Sequence, residues 1–337
     1  MSAFATGIGL GSWPGVSALQ AAEVVVGELG GSMAHLVELP ARGVGADMVG
    51  RAGALLVDIA IDTAPRGYRL AGRPGAVSRR AVSLLAEDTD ALEEAWEVAG
   101  LRGSGHPVKL QAPGPLTLAA ELELAGGHRA ITDAGAVRDL AASLGEGLRA
   151  HRAELSRRLG TPVVVQLDEP SLTAAVAGRL AGVTALTPVP AIDEAVATSL
   201  LDGCAETVGG EVLAHSCASE VPWNVLQRSR ITAVSLDATA LGRPDYDAIG
   251  AFVESGRTVV LGLIPALAPA RRPSLEDLAA AAAAITDRIG FPRAVLAERV
   301  GISPVCGLAG ATTEWARTAI GLARRVGEAL AADPEAV

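Results

Sequence analysis

The sequence predicts an α/β fold of the (β/α)8 TIM-barrel type, a single domain with an insertion after the second strand. Three observations carry that expectation. Short β-branched runs recur along the chain, each ending in a Gly, Pro or polar cluster. An amphipathic, Ala-rich helical stretch follows each run after a few residues. The runs number eight, the count that closes a ring of parallel strands.

In chain order the expected strands cover residues 6–13, 34–38, 107–111, 162–168, 212–217, 231–237, 258–264 and 301–306. The clearest helices alternate with them at 16–30, 134–159, 192–208, 246–255, 274–289 and 312–331. The interval from about 47 to 105 is too long for one crossover. It holds an extra apolar run at 54–61 and a Gly/Pro/Arg-rich stretch at 66–80, and reads as an inserted hairpin and helix. No composition shift, charge block or solenoid-length repeat divides the chain elsewhere, so residues 1–337 are expected to form one domain.

Half of the residues are hydrophobic, which excludes a disordered chain. Only 3% are aromatic, so the core must be filled by small branched side chains, and surfaces for base stacking are scarce. With 28 Lys and Arg against 38 Asp and Glu, the net charge of −10 repels phosphate backbones. The basic stretch 149–158 falls at helical spacing and reads as a solvated face, so no nucleic-acid partner is expected. No Lys or Arg precedes Arg42, and no apolar run approaches the roughly 18 residues of a membrane span. Cys204, Cys217 and Cys306 are an odd, widely spaced set that suits a reducing compartment, and a cytoplasmic protein is expected.

The residues able to do chemistry fall at the strand ends: Ser12, Glu38, Asp168 with Glu169, His215 with Cys217, Asp237, and Cys306. In a βα-barrel that is the catalytic rim. Side chains two apart on a strand project to one side, so His215 and Cys217 can reach one point. Cys306 lies at the end of the last strand, where closure of the ring returns it to them. Two sulfurs and an imidazole nitrogen favour Zn2+, which would hold a thiol substrate as thiolate. Asp237 offers a fourth ligand or is an ordinary strand-end acid, and the bland reading of His215 and Cys217 is a buried cysteine beside a hydrogen-bonded histidine.

Cys204 reads as helix packing, and Glu169 as a cap or salt-bridge partner of the helix that follows it. Asp168 has the better case for touching a ligand. GIGLGSWPG and QAPGPLT read as tight barrel turns, although missing side chains there permit close approach of an anion. His35, His106, His128 and His151 have no partner at ligand spacing and read as structural or solvated, and the four tryptophans as packing.

Taken in order, IGLGSWP, HLVE followed by DMV at 47–49, VKLQAPGPLT, VVVQLDEPSL, LAHSC, AVSLDAT and ISPVCGL resemble the catalytic C-terminal barrel of cobalamin-independent methionine synthase. The landmarks extend from about residue 6 to 310. The resemblance implies a zinc site at His215, Cys217, Asp237 and Cys306, with Asp standing where the family has Glu. It implies that the carboxylate of homocysteine meets Gly11 and Ser12, while Glu38 and Asp168, the implied catalytic pair, take its ammonium group. The implied reaction is attack of the thiolate on an activated methyl group, giving methionine.

The chain matches one barrel of that family and is expected to be a single-barrel member. The family's Asp-Ile-His segment, which protonates a folate leaving group, corresponds to Gly262, Leu263, Ile264 and Pro265, which carry no proton donor. The tryptophan expected to stack on a pterin is absent from 115–127. A methylcorrinoid protein or another small methyl donor is therefore an alternative to methyltetrahydrofolate. Two further readings stay open: alkyl transfer to another thiol such as coenzyme M, and a noncatalytic barrel that binds zinc or an amino acid.

Overall fold

The computed structural model describes residues 2–184 and 186–336. Its strands, numbered along the chain, are β1 (Ala34–His35), β2 (Ala60–Ala64), β3 (Gly67–Ala71), β4 (Val108–Pro113), β5 (Leu122–Glu123), β6 (Val163–Asp168), β7 (Val212–Ser216), β8 (Ala233–Asp237), β9 (Thr258–Ile264) and β10 (Val300–Pro304). Seven of them form one sheet in the order β1-β4-β6-β7-β8-β9-β10, and every pairing in it is parallel. The chain folds as the α/β barrel that the strand–helix alternation predicts.

The expected first strand, 6–13, is not a regular strand. It forms two isolated parallel bridges, Gly7 with Ile302 on one side and Ser12 with Glu38 on the other. Ile8 N donates to Ile302 O at 2.8 Å, and Trp13 N donates to Glu38 O at 2.8 Å. This segment therefore joins the two open edges of the sheet and closes the ring. Its glycines explain both the irregularity and the fit. A Cβ at Gly7 would lie 2.1 Å from the Ala323 carbonyl oxygen, and Gly11 adopts a φ of +115° that side chains disfavour.

Side-chain alternation splits the strands into an inner and an outer face. Ile8, Leu10, Met33, Val164, Leu213, Ala233 and Val260 pack with Phe4 as a separate buried cluster inside the ring. Val165, Leu167, Val212 and Ala214 belong to the larger cluster shared with the helices. The helices Ala18–Leu29, Ala134–Leu159, Glu194–Val208, Arg243–Glu254, Leu275–Ile289 and Thr313–Ala332 follow the expected alternation. The fourth of these begins three residues earlier than its apolar period suggests. Pro244 fits its first turn, and the Asp245 carboxylate accepts from Gly242 N at 2.7 Å.

Segment 47–105 holds the antiparallel pair β2–β3 and the helix Ala76–Val98. The apolar run at 54–61 mostly precedes β2 instead of forming a strand. Asp88 on that helix is fully buried and ion-paired to both Arg42 and Arg51. The basic stretch 149–158 is only partly a solvated face. Arg149 and Arg157 pair with Glu146 and Glu154 at the surface, but Arg152 donates to Val163 O and Val208 O, and Arg158 holds Asp90 and Glu93. Among the described residues no helix is long and apolar enough to cross a membrane.

The tight closure gives a contrast between two glycines. Gly7→Ala, which must push against backbone, is expected to lower stability by about 2 kcal/mol or more. Gly27→Ala, on an exposed helical position with open space, should raise it by about 0.5–1 kcal/mol. Urea unfolding midpoints measure both, and equal shifts would contradict the closure role of Gly7.

Candidate metal centre

Two strand ends deliver the three donors. His215 is the penultimate residue of β7, and Cys217 follows that strand's last residue. Cys306 lies two residues beyond β10. Curvature of the ring brings the two sulfurs to 3.2 Å across the barrel mouth, although 306 − 217 = 89 residues separate them along the chain. One ligand atom from each of His215, Cys217 and Cys306 lies within 4.8 Å of the others, and all the cysteines are free. His215 Nδ1 sits 3.2 Å from Ser235 Oγ, which leaves Nε2 as the ring nitrogen available to a metal.

The two thiols share their protons unequally. The hydrogen bond between the two sulfurs, with help from His215, brings the Cys306 thiol down to about 4 and pushes Cys217 up. Two cysteine sulfurs, one of them pulled toward its thiolate form, beside an imidazole are a donor set suited to zinc.

Asp237 is not brought into this group. Its Oδ1 accepts from Thr239 N at 2.9 Å and from Thr239 Oγ1 at 2.6 Å, so the carboxylate is engaged in the turn after β8. Cys204 is buried on its helix, as its sequence position suggests.

Beside the sulfurs, Asp168 ends β6 and Glu38 follows β1 at the bridge to Ser12. They line, with Ser12, His215, Cys217 and Cys306, a pocket of about 280 Å³. Burial is the largest influence on both carboxyls. It raises Asp168 to about 6 against the pull of His215 and Lys109, and Glu38 to about 7 against that of Arg51. Gln166 Nε2 donates to Asp168 at 2.7 Å, whereas Glu38 Oε1 is buried with no hydrogen-bond partner, an acceptor aimed at nothing of the protein's own. Gly307 lies against Ser12, since a Cβ there would come within 1.9 Å of the Ser12 hydroxyl. A larger hollow of about 500 Å³, beside β2 and β3 and lined by Asp58, Arg73 and Arg79, gathers no cluster of metal-ligating side chains among the described residues, so volume does not locate the chemistry.

Glu169 works in a different direction from its sequence reading. It is buried and accepts from Leu116 N, Thr117 N and Thr117 Oγ1, capping the helix Pro115–Glu121 that precedes it in the chain. Lys109 is the residue that sequence reasoning overlooked. It is fully buried on β4, and its Nζ donates to Gln111 Oε1 at 3.1 Å. Burial lowers its ammonium to about 8, partly offset by Asp168 and Glu38. The signal was present: Lys109 and Gln111, like Gln166 and Asp168, are polar residues two apart within otherwise apolar strands, the spacing of an inward face. His35, opposite Lys109 in register, is also buried, with neither ring nitrogen hydrogen-bonded.

A model of the family described as "Cobalamin-independent synthase, Catalytic domain" matches residues 4–329. Among solved structures, a B12-independent methionine synthase from Shewanella sp. W3-18-1 in complex with selenomethionine is 16% identical. The match covers 75% of this chain and 68% of that one, with a TM-score of 0.49. A protein from Listeria monocytogenes described as a vitamin-B12-independent methionine synthase is 18% identical over 72% of this chain and 68% of its own, with a TM-score of 0.46. No curated protein matches the chain.

Lys109 makes a signed pH effect accessible. The unfolded chain keeps a proton on Lys109 up to about 10.5, whereas the folded chain releases it above about 8. Stability of the wild type relative to Lys109→Met should therefore rise between these values, by up to about 3 kcal/mol. Urea unfolding at stepped pH measures the difference, and a flat profile would mean that burial leaves the proton affinity of Lys109 unchanged.

Proposed function

This chain belongs to the cobalamin-independent synthase catalytic-domain family, whose chemistry is methyl transfer of the methionine-synthase kind, and from that membership we propose that it is a zinc-dependent S-methyltransferase. Its substrate is homocysteine or a similar thiol, and with homocysteine the product is methionine. The observation that carries the proposal is the meeting of His215, Cys217 and Cys306 beside two buried carboxyl groups in one pocket.

Zinc held by those three residues supplies a Lewis acid that keeps the substrate sulfur as thiolate at neutral pH. The rest is done by the chain itself. Glu38 and Asp168 receive the ammonium group of an amino-acid thiol, and the unpartnered Glu38 Oε1 is the acceptor best placed to gain a bond. Ser12 on the pocket wall and the neighbouring backbone at Gly11 take the carboxylate. Leu10, Met48 and Pro170 give the same pocket apolar walls that limit water around the reacting sulfur. Burial raises Glu38 to about 7, and a bound ammonium group would draw it back toward the carboxylate form that accepts the hydrogen bond.

We assign residues 1–337 to one barrel in which 47–105 is an insertion, working in the cytoplasm, where free cysteines stay reduced. Leu263, Ile264 and Pro265 offer no acid for a folate leaving group. The donor is accordingly sought among methylcorrinoid proteins and small methyl compounds as well as methyltetrahydrofolate.

The purified protein is expected to bind about one zinc per chain. Cys217→Ser and Cys306→Ser should each lower the metal content by metal analysis, and unchanged content in both would sink the site. Homocysteine should add one sulfur to the zinc shell in X-ray absorption. Turnover is then tested with methyltetrahydrofolate and methylcobalamin as donors, and with a thiol lacking the amino group as a poor acceptor. Bound zinc with no thiol alkylated by any donor would reduce the chain to a binding protein.

A further inference from the structure

We propose that a zinc ion would be held by three side chains of this protein, His215, Cys217 and Cys306, and that Asp237 is a turn residue instead of a ligand. This inference rests on the zinc reading of the preceding section and departs from the ligand set that the family resemblance implies.

Two separate observations support it. The first is what Asp237 does. It is the last residue of β8, and its Oδ1 accepts both the backbone N–H and the hydroxyl of Thr239. Ala238 N donates to Gly262 O and Ala240 N to Asp237 O, so the whole turn is built around this residue. Turning Oδ1 toward the sulfurs would break both of its bonds within that turn, and the aspartate arm has one methylene fewer than the glutamate of the family resemblance. The second observation is what the mouth of the barrel presents. The pocket wall includes His215, Cys217 and Cys306 beside Asp168 and Glu38, but not Asp237. The open side of the donor group therefore faces the cavity that would receive a substrate.

Strand β8 serves the centre by another route. Ser235, two residues before Asp237 and on the inward face, is the group that fixes the His215 ring. A hydroxyl that orients a ligand, together with a carboxylate that orients the following turn, accounts for both polar side chains at this strand end. An amino-acid thiol can then bind without displacing any protein ligand.

Zinc affinity by chelator competition, and the visible spectrum of the cobalt-loaded protein, test this without reference to turnover. Asp237→Asn keeps an acceptor for Thr239 while removing the charge of a ligand. It is expected to leave zinc affinity within about twofold and the cobalt spectrum unchanged, whereas Cys217→Ser lowers affinity by about 100-fold or more. Asp237→Ala, which also loses the turn bonds, should retain the same zinc affinity even if its melting temperature falls. A loss of about tenfold or more in Asp237→Asn, with an altered cobalt spectrum, overturns the inference and leaves the zinc-thiol reading standing. Failure of the wild type to bind either metal overturns both.

Discussion

Everything at the barrel mouth depends on closure of the ring through a segment that is barely a strand. A parallel sheet with free edges would leave the β10 end and the β1 end apart. Residues 6–13 tie them by backbone hydrogen bonds to Ile302 and Glu38. The interior holds the same segment from a third side, since Gln166 Nε2 donates to Leu10 O at 2.9 Å. The curvature so imposed is what allows sulfurs from β7 and β10 to meet across the opening, and what sets Ser12 beside Glu38. Glycine is needed here because the segment passes against backbone, and the regularity of a ladder is given up for that fit.

The second constraint is electrostatic. Lys109, Glu38 and Asp168 are buried together, and in each of them burial outweighs the neighbouring charges, moving it toward its neutral form. Their mutual attraction and the Arg51 guanidinium limit that drift. At an effective dielectric of about 20, unit charges a few ångströms apart interact by roughly 4 kcal/mol, enough to hold an interior carboxylate ionised near neutrality but not to make it indifferent to its surroundings. A cation entering the pocket therefore meets acceptors whose charge is only partly satisfied by the protein.

Much of this was legible in the sequence. Strand 258–264 and helix 134–159 coincide with their sequence expectations because each is long, periodic and bounded by sharp breaks. The convergence of His215, Cys217 and Cys306 followed from strand-end placement plus closure. Other features were hidden for identifiable reasons. Helices of five to seven residues such as Met48–Ala52 and Pro115–Glu121 are too short to display a period. The direction in which Glu169 reaches depends on which helix end lies beside β6 in space, which spacing along the chain does not encode. Asp237 has the right position for a ligand, and only its bonds to Thr239 show another use. Lys109 lies within a strand and not at its end, so strand-end placement does not single it out.

The buried pair of Arg51 and Asp88 gives the long excursion between β1 and β4 a meaning beyond its packing. Arg51 acts on Glu38, and Asp88, which anchors Arg51, is carried by the helix Ala76–Val98. A hairpin and helix that look like a detachable ornament on the barrel thus hold one end of an electrical tether whose other end is the pocket. Trimming that ornament would not simply shorten the protein. It would strand a guanidinium without its counter-charge and retune the acid that greets the substrate, so this part of the chain is free to drift in sequence only where Asp88 and its two arginines are spared.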